Sequence, residues 1–319
     1  MQIGLIGLGN IGGKLADNLL RHGVELIVRD LDHDRVTHYV SAGAKAAASP
    51  RQLATEADIV ITCLPSPSAC RQVMEAEDGV LAGLSTGKCW LEMSTTDQAE
   101  AIRLGARVKA LGAFAMDCPV SGGCHRAASG NISIFAGGER ATFDRVFPIL
   151  AIMGQRILHT GPIGSASALK VLTNYLCTVH LTALCEALTV AKVAGIDLNT
   201  CYEAIRISSG NSFVHETESQ VILNGSRDIN FTMDLVIKDV GLFDALAQEL
   251  RVPLELSPLV VGIFKDGAER YGLREFSPNI IRRLEDACHV KVLAEGFPPE
   301  IVDDEPKVLG YEVSSRHVD

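Results

Sequence analysis

A chain of 319 residues with 47% hydrophobic side chains carries enough apolar material for two ordinary domains with cores of their own, which excludes a disordered or low-complexity protein. Its formal net charge of -10, with no block of Lys or Arg, argues against nucleic acid or an anionic membrane surface as a partner, because both are met by clustered cations. Nine cysteines without a C-x-x-C, and nine histidines without ligand spacing, read as the reduced thiols and ordinary imidazoles of a cytoplasmic protein that holds no metal.

Strand-like runs come first. QIGLIGL (2–8), ELIVRD (25–30), DIVITCL (58–64), KCWLEM (88–93), FAMDCP (114–119), ISIFAGG (132–138) and RILHTG (156–161) are short and apolar. Helical patterns such as NIGGKLADNLLRHG and TDQAEAIRLGARVKALG lie between most of them. This alternation predicts a mostly parallel sheet with helices on both faces. The breakers of HTGPIG mark a boundary near Gly161–Gly164. Beyond it strand-like runs nearly vanish, and helices are expected over 165–195, 199–208, 214–224, 233–250 and 254–272. From about 291 the chain, with FPPE and VDDEP, reads as irregular and carries no assigned role. The chain opens on its first strand without a basic leader, and Ser, Thr, Asn, Lys and His interrupt the apolar run around residue 170. Neither segment reads as a signal peptide or a membrane span.

The first strand runs directly into Gly7-Leu8-Gly9-Asn10-Ile11-Gly12, and a helical pattern follows. A G-x-G-x-x-G gains weight in that setting, at the start of a βαβ unit. Gly7 permits a tight turn, Gly9 lets the main chain approach a pyrophosphate, and Gly12 lets helix and strand pack closely. The N–H groups of the helix start then face the phosphates. The second strand closes on Asp30, 18 residues after Gly12. A carboxylate there accepts hydrogen bonds from the adenosine ribose and repels a 2′-phosphate, so NAD is the expected cofactor in preference to NADP, with Arg29 softening the preference.

The stretch SASALKVLTNYLCTVHLTALC, residues 165–185, holds one formal charge, Lys170. A buried ammonium is costly unless paired or neutralised, so Lys170 either reaches water or faces a cleft. Asn174 follows at i+4, on the same helical face.

DCPVSGG (117–123) followed by GNISIFAGG (130–138) resembles the corresponding segment of the β-hydroxyacid dehydrogenase family. That family takes in 3-hydroxyisobutyrate dehydrogenases, tartronate semialdehyde reductases and, more distantly, 6-phosphogluconate dehydrogenases. GLGNIG at the start, Leu64-Pro65, Met93-Ser94-Thr95, the stretch ending at Lys170, and Lys238-Asp239 fall in family order over roughly residues 1–288. The resemblance implies an α/β Rossmann NAD-binding domain at 1–163 and an all-helical C-terminal substrate and dimerisation domain at 164–290. A long interdomain helix joins them, and an irregular tail occupies 291–319. It also implies an active site in the cleft between the domains and a homodimer or homotetramer.

By the same resemblance, Lys170 is the general acid–base that takes the hydroxyl proton as a hydride leaves for the nicotinamide, and Asn174 orients the hydroxyl or the lysine. Ser121, Gly122 and Gly123 would hold the substrate carboxylate. Cys63, Leu64, Pro65, Ser94 and Thr95 would contact the dinucleotide, and Lys238 would line its nicotinamide end. Asp239 reads as a partner of Lys238 or a local cap. The sequence departs from the family at Ala166, where a second glycine is usual, and at Thr173, where many members have a first asparagine. Cys124 puts a thiol near the substrate without giving it a nucleophile's task.

The segment Ser208–Phe213, which by resemblance approaches the substrate side chain, carries no Arg or Lys. The expected substrate is therefore a small β-hydroxy acid with one carboxylate, interconverted with its semialdehyde, in preference to a phosphorylated sugar acid. An imine reductase commonly has another residue in place of the lysine, and a catalytically silent dinucleotide-binding protein would have lost it. Lys170 argues against both. A SAM-dependent methyltransferase shares the glycine loop but leaves DCPVSGG and the Lys170-Asn174 pair unexplained. His180, ten residues past Lys170, reads as a core or interface residue.

Overall fold

The computed structural model describes residues 1–314. The chain divides into two compact units, one made of residues 1–170 with the segment from Asp303 onward, the other of residues 171–302. In chain order the first unit holds β1 (Gln2–Ile6), α1 (Gly12–Arg21), β2 (Glu25–Arg29), α2 (His33–Ser41), β3 (Lys45–Ala46), α3 (Pro50–Glu56), β4 (Ile59–Thr62), α4 (Pro67–Glu75), β5 (Cys89–Glu92), α5 (Gln98–Ala110), β6 (Phe114–Asp117), β7 (Val120–Ser121), α6 (Gly123–Ser129), β8 (Ser133–Gly137), α7 (Arg140–Met153) and β9 (Arg156–Gly161). α8 (Ser165–Val193) starts in this unit and continues into the second. The second unit adds α9 (Leu198–Arg206), α10 (Phe213–Asn224), α11 (Met233–Glu249), α12 (Leu256–Tyr271) and α13 (Arg282–Cys288), and β10 (Tyr311–Glu312) returns to the first.

The sheet runs β10-β9-β8-β6-β5-β4-β1-β2-β3, with β7 added on β8. Its pairings are parallel except where β8 meets β6 and β7. All residues of β4 and β5 are buried, as strands covered on both faces must be. On one face Ile3, Leu5, Ile59 and Leu91 pack with Leu15, Leu19 and Phe143 of α1 and α7. On the other, Val60 and Trp90 pack with Leu53, Met74 and Leu104 of α3, α4 and α5. β1 lies between β2 and β4, so the direction of winding reverses there. The crevice at the carboxyl ends of such strands is where doubly wound sheets take their ligands.

The second unit is helical. Leu181, Leu188, Ile222, Leu223, Met233 and Phe264 lie in its core. Arg227 and Glu285 form a buried pair at 2.8 Å, and Glu285 also accepts from Val292 N at 2.8 Å, which fixes the chain past α13.

The two compact units divide after Lys170, a turn and a half into α8, because one unbroken helix carries the chain from one to the other. The described residues from 291 are irregular apart from β10: those up to 302 belong to the second unit, and from Asp303 the described chain lies with the first and adds β10 to β9. Strands β3, β7 and β10 have two residues each, too few for a period to show in the sequence. α8, read as a poor membrane span, is long and apolar enough to cross a membrane by length and composition. Its Leu181, Leu184 and Leu188 pack in the core of the helical unit.

Candidate active site

Of the predicted dinucleotide residues, those of the first unit gather at the carboxyl ends of β1, β2, β4 and β5, while Lys238 lies on α11 of the second unit. Gly7 has φ +99°, and a Cβ there would lie 2.2 Å from Cys63 O. A Cβ on Gly12 would lie 2.0 Å from Gly7 O. Both positions therefore exclude a side chain. Gly9 differs: the nearest atom its Cβ would meet is Arg35 Nη1, at 3.5 Å. The protein itself does not require glycine there, and the bare main chain between Leu8 and Asn10 leaves room for a ligand to approach. α1 starts without a side-chain cap, and Gly13 N of its first turn donates to Gly9 O at 2.9 Å. Asp30 accepts from Leu8 N at 2.5 Å through Oδ2 and from Asp32 N at 2.8 Å through Oδ1, so it pins the glycine loop to the end of β2. Each carboxylate oxygen keeps a second lone pair for a ribose hydroxyl. The Arg29 guanidinium turns back onto Asp30 O at 2.5 Å.

Cys63, Leu64 and Pro65 follow β4, and Ser94 and Thr95 follow β5. Leu64 N donates to Ser94 Oγ at 2.7 Å, and Ser94 N donates to Glu92 Oε1 at 2.7 Å. Glu92 is the residue behind both loops, and sequence reasoning missed it. Its Oε2 accepts from Thr62 Oγ1 at 2.6 Å and Cys70 Sγ at 2.7 Å, and Trp90 Nε1 donates to the same threonine hydroxyl at 2.9 Å. Burial pushes the Glu92 carboxyl up, against the pull of these donors. Burial, with Glu92 and Cys124 nearby, pushes the Cys63 thiol up to about 12, so it stays protonated and unreactive near neutrality.

Ser121 closes β7, and Gly122 and Gly123 follow with φ +126° and +85°. Two successive glycines with positive φ make a turn here that a residue with a side chain would adopt only under strain. Upstream, Asp117 ends β6 fully buried. Its Oδ1 accepts from Gly164 N at 2.8 Å, and its Oδ2 accepts from Ser167 N at 2.7 Å and Ser167 Oγ at 2.8 Å. Asp117 therefore anchors the first turn of α8. Lys170, one turn further along the same helix, is 7% exposed. The sequence offered Asp117 in DCPVSGG, but a carboxylate's partners 47 and 50 residues away leave no local mark.

In the helical unit Asn174 Nδ2 donates to Asp239 Oδ2 at 2.6 Å. Lys238 Nζ lies 2.5 Å from Asp239 Oδ1, close enough for an ion pair though not aligned as a hydrogen bond. Asn174 and Lys238, predicted separately, thus meet on one carboxylate that is 2% exposed. Ser212 caps α10 and Asn211 donates to Glu216, so the Ser208–Phe213 turn is tied to the helix that follows it. His180, expected in a core or interface, is exposed on α8. Among the described residues no group of three or more His, Cys, Asp or Glu is placed to hold a metal ion.

Residues 2–161 match the family model of the NAD binding domain of 6-phosphogluconate dehydrogenase, and residues 164–283 match that of the NAD-binding domain of NADP-dependent 3-hydroxyisobutyrate dehydrogenase. The chain is 33% identical over 294 residues to 2-(hydroxymethyl)glutarate dehydrogenase of Eubacterium barkeri, covering 92% of this chain and 97% of that one. It is 31% identical to mitochondrial 3-hydroxyisobutyrate dehydrogenase of Rattus norvegicus, covering 86% and 84%. The crystal structure of 3-hydroxyisobutyrate dehydrogenase from Salmonella typhimurium superposes with a TM-score of 0.80 at 30% identity, over 89% of this chain and 99% of that one. The chain therefore belongs to the family of 3-hydroxyisobutyrate dehydrogenases and related β-hydroxyacid dehydrogenases, NAD(P)-dependent oxidoreductases of CH–OH groups.

Proposed function

We propose that the protein interconverts a small β-hydroxy acid and its semialdehyde with NAD, and that Lys170 is its general acid–base. The observation that carries this reading is the buried Lys170 on a helix whose first turn is clamped by Asp117. The protein's own residues fit a dinucleotide: Gly7 and Gly12 exclude side chains, and Gly9 leaves the main chain open at the start of α1. The cofactor supplies a nicotinamide ring that accepts or returns a hydride. Ser121, Gly122 and Gly123 hold the carboxylate and Asn174 orients the hydroxyl. Lys170 Nζ takes the hydroxyl proton as the carbon loses its hydride, and returns it to the forming alkoxide in reduction. Asp30 favours NAD over NADP.

The exposed Leu169, Leu172 and Leu176, spaced along one stripe of α8, support a homodimer or homotetramer, which the mass in solution tests. A cytoplasmic location accords with nine free cysteines.

The test is NAD reduction with 3-hydroxyisobutyrate, 3-hydroxypropionate, glycerate, serine, threonate and 2-(hydroxymethyl)glutarate, with Lys170→Ala beside the unaltered protein. Turnover of one or two acids that falls about 10²–10⁴-fold in the variant, with NAD still bound, is the expected result. Unchanged turnover in Lys170→Ala removes the lysine from the chemistry. Efficient turnover of 6-phosphogluconate removes the substrate class.

A further inference from the structure

The family models end at residue 283, and the Salmonella structure, covered over 99% of its own length, accounts for 89% of this chain. Part of the sequence beyond α13 is therefore an addition to the shared fold, and its last described stretch does something specific. Asp303 Oδ2 accepts from Ser129 Oγ, the last residue of α6, and from Asn131 Nδ2 at 2.8 Å. Asn131 is fully buried, and its Nδ2 also donates to Glu305 O at 2.7 Å. The Glu305 carboxylate pairs with Arg156 of β9 and lies 3.4 Å from Arg126 of α6.

Further along, Tyr311 N donates to Gln155 O at 2.8 Å and Val313 N to Ile157 O at 2.7 Å, while Arg140 grips Glu312 through both carboxylate oxygens at 2.6 and 2.9 Å. Gly310 passes so close to α7 that a Cβ would lie 2.3 Å from Gly154 O. These contacts fasten one end of the segment to the sheet and the other to α6.

α6 is only seven residues long, and its first residue is Gly123. It has no side-chain cap, and the glycines ahead of it hold their φ angles without help from a side chain of their own. A short helix of this kind is marginal alone and takes its order from what packs on it. α1 holds it on one side, where Asn18 Nδ2 donates to Ala127 O at 2.8 Å and Arg21 Nη2 to Ala128 O at 2.7 Å, and the segment adds two further points, Arg126 in the middle and Ser129 at the end.

We propose that the returning segment Asp303–Glu312 holds the carboxylate loop Ser121–Gly123 in register, with Asp303 and Glu305 as positioning residues that act through α6. The inference rests on the assignment of that loop to the substrate carboxylate. Neither acid touches the reacting atoms. Their effect falls on how well the substrate is held, not on the cofactor, which is bound by loops at other strand ends.

The test compares Asp303→Ala, Asp303→Asn and a chain ended after Val302 with the full protein. In Asp303→Ala, KM for the hydroxy acid is expected to rise about fivefold or more with KM for NAD unchanged. Asp303→Asn retains a carbonyl acceptor for Ser129 and Asn131 and is expected to restore most of the loss. Hydrogen exchange of the amides of residues 121–131, measured without substrate, is expected to quicken in Asp303→Ala and in the shortened chain. Unchanged exchange, or faster exchange with an unchanged KM for the acid, overturns the proposal. If the full protein turns over none of the acids, the substrate assignment has failed, and the exchange measurement still decides whether the segment orders the loop.

Discussion

Asn174 and Asp239 are joined by a 2.6 Å hydrogen bond in which the amide nitrogen donates. The amide therefore keeps its carbonyl oxygen off Asp239. Lys238 shares the same carboxylate, so one acid orients two residues of the proposed site. Asp239→Asn can offer its own NH₂ to Asn174 and reverse the amide. We expect kcat/KM to fall about tenfold, or about 1.4 kcal/mol, with little loss of stability. In Asn174→Ala the same substitution should cost less than it does alone, because what it exerts through Asn174 is already gone and only its ion pair with Lys238 remains to be lost. Additive losses in that double-mutant cycle would separate their roles.

Asp30 pins the glycine loop and, in the proposed function, also meets the ribose, and its substitution should show both. Loss of the carboxylate removes the proposed ribose acceptor and releases Leu8 N. For Asp30→Ser, KM for NAD is expected to rise about tenfold, and the preference for NAD over NADP to narrow because the repulsion of a 2′-phosphate is gone. Steady-state kinetics with both cofactors read this. A preference for NADP in the unaltered protein would show that Arg29 dominates this end of the site.

Asp117 anchors α8 by accepting three hydrogen bonds while fully buried. Asp117→Ala leaves Gly164 N and both Ser167 donors without their acceptor. The expected cost is about 3 kcal/mol of stability, seen as a lower urea midpoint with an unchanged slope. Because Lys170 lies one turn beyond the clamp, turnover of the folded fraction should fall as well. Full activity in a destabilised but folded variant would show that the lysine is placed by other contacts.

Glu218 of α10 is buried, with Cys177 Sγ 3.9 Å from one carboxyl oxygen and no hydrogen-bond partner on the other. Burial pushes its carboxyl up to about 8. The folded protein thus binds this proton more tightly than the unfolded chain, where a glutamate titrates near pH ~4. Its contribution to stability is complete below that value and is lost as pH rises toward about 8. Glu218→Gln keeps the shape without the acid. Thermal unfolding should show the variant gaining on the parent by a few degrees at pH ~8 and not at pH ~4. An equal difference at both pH values would deny the titration.

The periodic elements of this protein could be read from its sequence because their cause is local. β1, β4 and β5 are apolar runs buried on both faces, and the five long helices after Gly164 carry their pattern over many turns. The glycine loop was legible for a related reason: Gly7 and Gly12 record main-chain approaches that no other residue permits. What stayed hidden depends on partners far apart in the chain. Glu92 looks like one acid in a strand until Thr62 and Cys70 are seen to point at it. Asp239 gains its meaning from Asn174, 65 residues earlier. Asp303 and Glu305 sit in a stretch whose Pro and acidic residues read as loop, and their contacts with α6 and β9 span about 150 residues or more.

The order of synthesis gives the late return of the chain a cost. β9 is complete by Gly161, yet the strand that pairs with its outer side arrives about 150 residues later. Throughout that interval a newly made chain presents β9 as an open sheet edge, with its N–H and C=O groups unpaired on one side. Such an edge invites pairing with a second chain. Messages or proteolytic events that end the polypeptide before Tyr311 would leave the edge open for good. Damage to the last stretch of this protein should therefore appear first as aggregation during expression.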